Sequence, residues 1–589
     1  MIETNSVLYG SVLDEHGDQY APTVLTPTDD QRDKIVLGKP YIIPIVFIPG
    51  IMGTNLRKKG TGEVAWRPPN TDARGILDAI GQLFSYARKN AKTRQSELKT
   101  DEAEVDPSGP IDTAGTDFSK KVLTARGWGA LLRSSYHPFL GKLQTLLNNL
   151  SVYDFDKCEA NLQGWAKDDA PEAPTEWGSE SGIPLVREEI LHAANYQFDV
   201  WAAGYNWLQS NRDSGAAVKD YIEKVILPYY NEGKEVTVKA PDGEGKDKCS
   251  IKRTKPMRPL AEKVIVVTHS MGGLVSRALT EIHNCNDVMG VIHGVQPATG
   301  APATYKRLRA GFEGTEKTIL GRNAADVTAI LSQAPGGLEL LPTADYNDGK
   351  AWLKARDEGG SECSLDLPTK GGNPYDEIYL SPKWYGMIPE ANEELMNPGG
   401  GESEQDPGDM DGRQSPRGTI THVIAQVRQF HEAIPKKYKK PTYAFYGAQG
   451  ERDSSRDRGG LLGTGLMAKK ARYTWGEVVW EGKGASAMEK DGATLAKDDG
   501  NGKIELSNGI RLKIAEPDTP GDGTVPCFSG EAPAKAGVAM SFAHGHGNPG
   551  KHNEAFCYDH QESYADKRAL YASMYGIIKV AQQAQWHKR

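Results

Sequence analysis

Ser270 stands in Thr268-His269-Ser270-Met271-Gly272-Gly273, between a β-branched run (Val264–Val267) and a helical pattern of Leu274, Val275, Ala278, Leu279 and Ile282. A hydroxyl at so tight a strand-to-helix junction reads as a nucleophile elbow. The turn forces the serine into strained backbone geometry, and small flanking residues let strand and helix approach each other. The plainer reading is a buried strand followed by a serine-capped helix, but the preceding strand, the following helix and the glycine pair together favour the elbow. Thr268 replaces the first glycine of the usual G-x-S-x-G pattern. The first N–H groups of the helix, that of Met271 foremost, can stabilise an oxyanion. A second donor should come from the loop after the first strong strand, Pro49-Gly50-Ile51-Met52-Gly53, through the N–H of Ile51.

A serine nucleophile needs a base and an orienting acid, which in α/β-hydrolases follow in the order Ser, Asp or Glu, His. The favoured acid is Asp522 in Gly521-Asp522-Gly523-Thr524-Val525-Pro526, a loop carboxylate between glycines; its alternative reading is an ordinary Asp-Gly turn. Asp326, in Ala324-Ala325-Asp326-Val327, is the rival acid and could equally be a surface helix residue. Four histidines fall between residues 544 and 560. His560, just before the terminal helix, is the favoured base; His544, His546 and His552 are alternatives expected to line the approach or meet solvent. The cluster could instead hold a metal, but a His-x-His among glycines with no nearby cysteine or repeated carboxylate spacing argues against that. No metal or cofactor enters the expected chemistry.

These groups need a scaffold of buried strands. Candidates are 41–48, where Pro44 marks the strand's beginning, then 197–203, 264–269, 288–295, 442–447 and 537–542. Helices are expected near Ile76–Tyr86, over 213–230, over 324–333 and over Tyr564–Gln585. Strands alternating with helices imply an α/β-hydrolase architecture: a mostly parallel central sheet flanked by helices, with large cap or lid insertions. The expected divisions begin with a polar segment at 1–40 and the first part of the core at 41–299, interrupted near 70–130 and 233–260. A cap or lid follows at 300–420, a core strand region at 421–459, a small β-rich insertion at 460–515, and the end of the core, carrying acid and base, at 516–589. The Gly- and Pro-rich boundaries of 300–420 suit a lid hinge.

Pro-Gly-Ile-Met-Gly-Thr-Asn-Leu (49–56), Gly-Tyr-Asn-Trp (204–207), Thr-His-Ser-Met-Gly-Gly (268–273) and Gly-Asp-Gly-Thr-Val-Pro (521–526) resemble the lecithin:cholesterol acyltransferase-like and PGAP1-like lipases. More narrowly, Gly204–Asn211, Gly300-Ala301-Pro302-Ala303 and His560-Gln561-Glu562-Ser563-Tyr564 resemble the fourth class of bacterial type VI secretion lipase effectors. That resemblance implies an antibacterial phospholipase acting on membrane glycerophospholipids, with a cognate immunity protein and a carrier in the secretion apparatus. Alternatives are a non-catalytic binding module, or a thioesterase or peptidase on the same fold.

The bulk numbers agree. Seventy basic against 78 acidic residues leave a charge of −8, the wrong sign for a nucleic-acid binder. No run of 18 apolar residues suggests a membrane span. Met1–Asn5 has no basic and apolar signal pattern. Six scattered cysteines, with no C-x-x-C, suit a reduced compartment. The expectation is synthesis in the bacterial cytoplasm without a Sec signal, and delivery by the type VI apparatus to the target cell's periplasm or membrane.

Overall fold

Six apolar runs pair into one parallel sheet in the computed structural model. They are β1 (Ile42–Ile48), β2 (Gln197–Ala202), β3 (Val264–His269), β4 (Val288–Gly294), β5 (Thr442–Gly447) and β6 (Met540–His544), in the order β2-β1-β3-β4-β5-β6. The structure describes residues 39, 41–68, 89–154, 157–232, 258–313, 321–399, 415–448, 473–489, 493–545, 550–552 and 558–588, with short strand backbones at 8–9, 12–13, 19–20, 34–35, 234–239 and 248–253. The helix expected near Ile76–Tyr86 lies outside them. The interruption expected near 233–260 contains a hairpin, Lys234–Lys239 against Lys248–Arg253.

A parallel sheet must bury both faces, so its strands carry unbroken apolar runs. Val46, Ile48, Val264 and Val266 enter the core on one face; Ile45, Phe47, Ile265 and Val267 enter the core on the other. Pro44 is the third residue of β1, and pairing with β3 begins only at Ile45, so its missing N–H interrupts no bond to β3.

Helices close both faces. They include α1 (Arg133–Asn148), α2 (Asn211–Tyr221), α3 (Gly272–Arg277), α4 (Ala303–Ala310), α5 (Ala324–Leu331), α6 (Pro416–Ala433) and α7 (Lys567–Ala581). Gln144 of α1 clamps β2 with its amide, donating to the Phe198 carbonyl (2.8 Å) and accepting from Val200 N–H (2.9 Å). Among the described residues no helix is long and apolar enough to cross a membrane.

The insertions at 300–420 and 460–515, expected as separate units, share one sheet. Its six strands run in the order 363–367, 353–356, 478–481, 511–514, 503–506 and 495–498. A two-stranded hairpin such as 353–367 is marginal alone. It gains a third strand where Leu353–Arg356 pairs in parallel with Val478–Glu481. The buried Arg309 guanidinium ties the halves together: it donates to the carbonyls of Trp384 and Gly386 (both 2.9 Å) and pairs with Asp498 at 3.2 Å.

In this strand order the chain leaves β1 toward β2 on one side and resumes at β3 on the other. Ligands of open α/β sheets bind at such a switch point, beyond the carboxyl ends of the strands. The loops after β1 and β3 carry Ile51 and Ser270.

Candidate active site

Ser270 has φ +53°, a conformation that is uncommon for a residue with a Cβ. Its N–H donates to the Gly294 carbonyl at the end of β4 (2.9 Å), which fixes the turn. Close approach is made possible by Gly272: a Cβ there would stand 2.4 Å from the Ile48 carbonyl oxygen and 2.5 Å from that of Pro49. Thr268 fills the place of the usual glycine without strain. It is fully buried, its hydroxyl bonds His293 Nδ1 (3.0 Å) and its carbonyl accepts from the Tyr564 hydroxyl (2.8 Å).

Ser270 Oγ lies 2.8 Å from His560 Nε2, and His560 Nδ1 lies 2.7 Å from Asp522 Oδ2. A carboxylate can only accept from Nδ1–H, so Nε2 is left to take the serine proton. The other Asp522 oxygen accepts from the N–H groups of Thr524 (3.0 Å) and Val525 (2.8 Å), and the Asp522 carbonyl accepts from His560 N–H (3.0 Å). The acid loop thus holds both the imidazole and the backbone that carries it.

The alternative residues lie elsewhere. Asp326 is buried in the first turn of α5, where its carboxylate accepts from Arg322 N–H (3.1 Å) and Nε (3.2 Å) and faces Arg94 at 4.0 Å; it is not a surface residue. His544 does not line the approach: it is fully buried, stacks on Phe445 and bonds the Tyr558 hydroxyl (2.9 Å). His552 pairs with Glu172 (2.6 Å) and stacks on Trp177. His544 and His552 therefore have separate partners and do not converge on a metal. His546 lies outside the described residues.

Three further residues organise the site. The Pro49–Gly50 peptide is clamped at both ends: the Tyr205 hydroxyl donates to its carbonyl (3.0 Å), and its N–H donates to the Tyr136 oxygen (3.2 Å). The next peptide, which carries the Ile51 N–H, is held by its own carbonyl: Gly50 C=O accepts from Gly53 N–H (3.1 Å). Tyr136 also meets His269 Nδ1 (3.1 Å), and His269 Nε2 meets the His560 carbonyl (3.0 Å). A carbonyl only accepts, so Nε2 of His269 carries the proton and Tyr136 donates to Nδ1. Burial first, and then the neighbouring His560, lower the His269 pKa to about 3, so the ring stays neutral. Burial raises the Tyr136 hydroxyl to about 12. One chain of hydrogen bonds thereby joins the loop after β1 to the loop that carries His560. His269 sits inside the elbow motif and Tyr205 inside Gly-Tyr-Asn-Trp, so both could be noticed in the sequence; Tyr136 gives no local signal.

Above Ser270 and His560 is a cavity of about 380 Å³. Ile51, Met52, Trp66, Phe312, Leu331 and Leu340 supply much of its apolar wall. Eight of the residues that line it come from the 300–420 insertion, among them Thr304, Arg307, Phe312, Leu331 and Leu340. Such a site can hold an apolar acyl chain against a hydroxyl that has a base beside it.

A family model for the PGAP1-like alpha/beta domain matches residues 193–328. No curated protein matches the chain. Among solved structures, a chain of the Tle4–Tli4 complex is 38% identical, with a TM-score of 0.76, over 92% of this chain and 99% of that one. Lipase 1 from Pelosinus fermentans aligns over 72% of this chain and 95% of that one, at 13% identity and a TM-score of 0.22.

Proposed function

The chain belongs to the Tle4 family, the fourth class of type VI secretion lipase effectors, and we propose that it is a serine esterase of the phospholipase A type, cleaving acyl esters of membrane glycerophospholipids. The observation that carries this reading is the Ser270–His560–Asp522 alignment, at 2.8 and 2.7 Å, beneath an apolar cavity.

Ser270 Oγ attacks the ester carbonyl carbon while His560 Nε2 accepts the hydroxyl proton. The N–H groups of Ile51 and Met271 receive the developing oxyanion. The carbonyl re-forms as the bond to the glycerol oxygen breaks, and His560 gives its proton to that oxygen. Water activated by the same imidazole then releases the fatty acid and restores Ser270. Asp522 keeps the imidazole in the required tautomer and stabilises its charged form.

The family supports an antibacterial role: export by the type VI apparatus on a carrier, with action at the periplasmic face of a target membrane. The Tle4–Tli4 complex supports a cognate immunity protein as a partner; its proposed seat is the cavity mouth, against the insertions. A tight complex of that kind buries about 1,600 Å² in total.

Mass spectrometry of the products formed from mixed phospholipid vesicles tests the proposal. Free fatty acid and lysophospholipid are the expected products, and both are absent with Ser270→Ala. Intact phospholipid after incubation with the folded wild-type protein refutes the substrate assignment. Failure to cleave a short-chain chromogenic ester as well leaves the binding-module alternative standing.

A further inference from the structure

Arg307 is the one arginine or lysine, among the described residues, that lines the cavity above Ser270. It projects from α4 and its side chain is 15% exposed. A guanidinium in a mostly apolar catalytic cavity is costly unless it is paired, so its partners matter.

Those partners hold it loosely. Nε and Nη2 each lie 3.4 Å from Glu313 Oε2, and Nη2 lies 3.5 Å from the Thr524 hydroxyl. The plane rests on the Phe312 ring, 4.5 Å from its centroid. Good charge-assisted bonds between nitrogen and carboxylate are about 2.7–2.9 Å long. Glu313 has a closer partner in Lys306, whose Nζ is 2.5 Å from Oε1 and also donates to the Gly311 carbonyl (3.0 Å). Two cations therefore share one carboxylate, and the shorter bond belongs to Lys306, which does not line the cavity. Arg307 can exchange its long contacts for an incoming anion while Lys306 keeps Glu313 neutralised.

The guanidinium is also on the acid side of the reaction centre. Thr524, which meets Arg307 through its hydroxyl, donates its N–H to Asp522 (3.0 Å), and Asp522 holds His560. In a glycerophospholipid the phosphate is a few bonds from either ester carbonyl, so an anion beside Thr524 and an ester at Ser270 can belong to one molecule.

We propose that Arg307, assisted by the Thr524 hydroxyl, binds the monoanionic phosphodiester of the substrate headgroup and so selects phospholipids over neutral glycerides. This inference rests on the esterase reading of Ser270 and adds the group that chooses among esters.

The test uses two monomeric substrates that share acyl chains, dihexanoylphosphatidylcholine and dihexanoylglycerol, each below its aggregation threshold. Arg307→Gln should lower the ratio of kcat/KM for phospholipid over diglyceride by about 10- to 100-fold, the size expected for losing hydrogen bonds to a charged group. The change should appear in KM for the phospholipid, and Arg307→Lys should restore part of the ratio. An unchanged ratio, with both substrates losing equally, makes Arg307 a structural residue and overturns the proposal. Diglyceride cleavage without phospholipid cleavage by the wild type overturns it too, but leaves the esterase reading intact. If neither ester is cleaved, that reading falls and the inference with it. Inhibition of diglyceride hydrolysis by inorganic phosphate, lost in Arg307→Gln but with no phospholipid preference, identifies a free-anion site and refutes the headgroup assignment.

Discussion

Replacing Asp522 with Asn tests the proposed mechanism at its most constrained point. One Asp522 oxygen accepts two backbone N–H groups, from Thr524 (3.0 Å) and Val525 (2.8 Å), and the other accepts from His560 Nδ1 (2.7 Å). Asparagine has one acceptor and one donor to place in the same pocket. Turning its NH₂ toward the two backbone donors would leave both unsatisfied in a buried site, at about 1–3 kcal/mol each. The amide oxygen therefore stays with Thr524 and Val525, and the NH₂ faces His560. His560 must then accept at Nδ1 and carry its proton on Nε2, facing Ser270, where it can no longer take the hydroxyl proton. In a Ser-His-Asp protease the same tautomer trap lowers kcat by roughly 10⁴, about 5.4 kcal/mol of transition-state stabilisation. The assay is kcat and KM on a soluble chromogenic ester, with thermal unfolding to show that the fold persists. KM should move little. A loss under about tenfold in folded protein refutes the assignment of Asp522. Asp326→Asn is the matching control: that carboxylate is engaged by Arg322, so turnover should hold even if stability falls.

Ser270→Ala should remove on the order of 10⁶ in kcat; periplasmic expression of the wild type should be toxic and that of Ser270→Ala harmless, and toxicity that survives the change would show that the harm does not come from hydrolysis. The 300–420 insertion supplies Thr304, Phe312, Leu331 and Leu340 to the cavity, so turnover should rise when a substrate passes from monomers to micelles, whereas equal rates in both states count against a moving lid. Stability should fall in acid: burial lowers His269, His293 and His544 to about 3 and His137 and His431 to about 4. With folded values depressed, these five groups contribute stability that is full above about 6.5 and lost as pH drops toward their folded values, at about 1.4 kcal/mol per group per pH unit. Unfolding followed between pH 7 and 4 should show uptake of several protons, and a flat profile refutes the neutral assignments.

Local patterns made the central sheet legible because its strands are buried on both faces and so carry unbroken apolar runs. Thr442–Gly447 could be read to the residue. The cap sheet could not, because its pairing is non-local: Leu353–Arg356 finds Val478–Glu481 across the β5 segment, and nothing in either short strand names the other. The candidate site divides in the same way. Ser270 announces itself through the residues on either side, since strain at its φ and the approach to Ile48 both demand a particular local sequence. The choice of His560 among four histidines is made by contacts outside its own segment, where its N–H bonds the Asp522 carbonyl and its ring bonds the Asp522 carboxylate. Tyr136 lies beyond local reach altogether: it meets His269 from 133 positions away. Yet it joins the loop of Ile51, through His269, to the loop of His560, so one buried hydroxyl links the two halves of the proposed machinery, oxyanion donor and base. Local sequence marks the groups that do chemistry, because that chemistry restricts their immediate neighbours; the groups that hold them in register answer only to the tertiary fold.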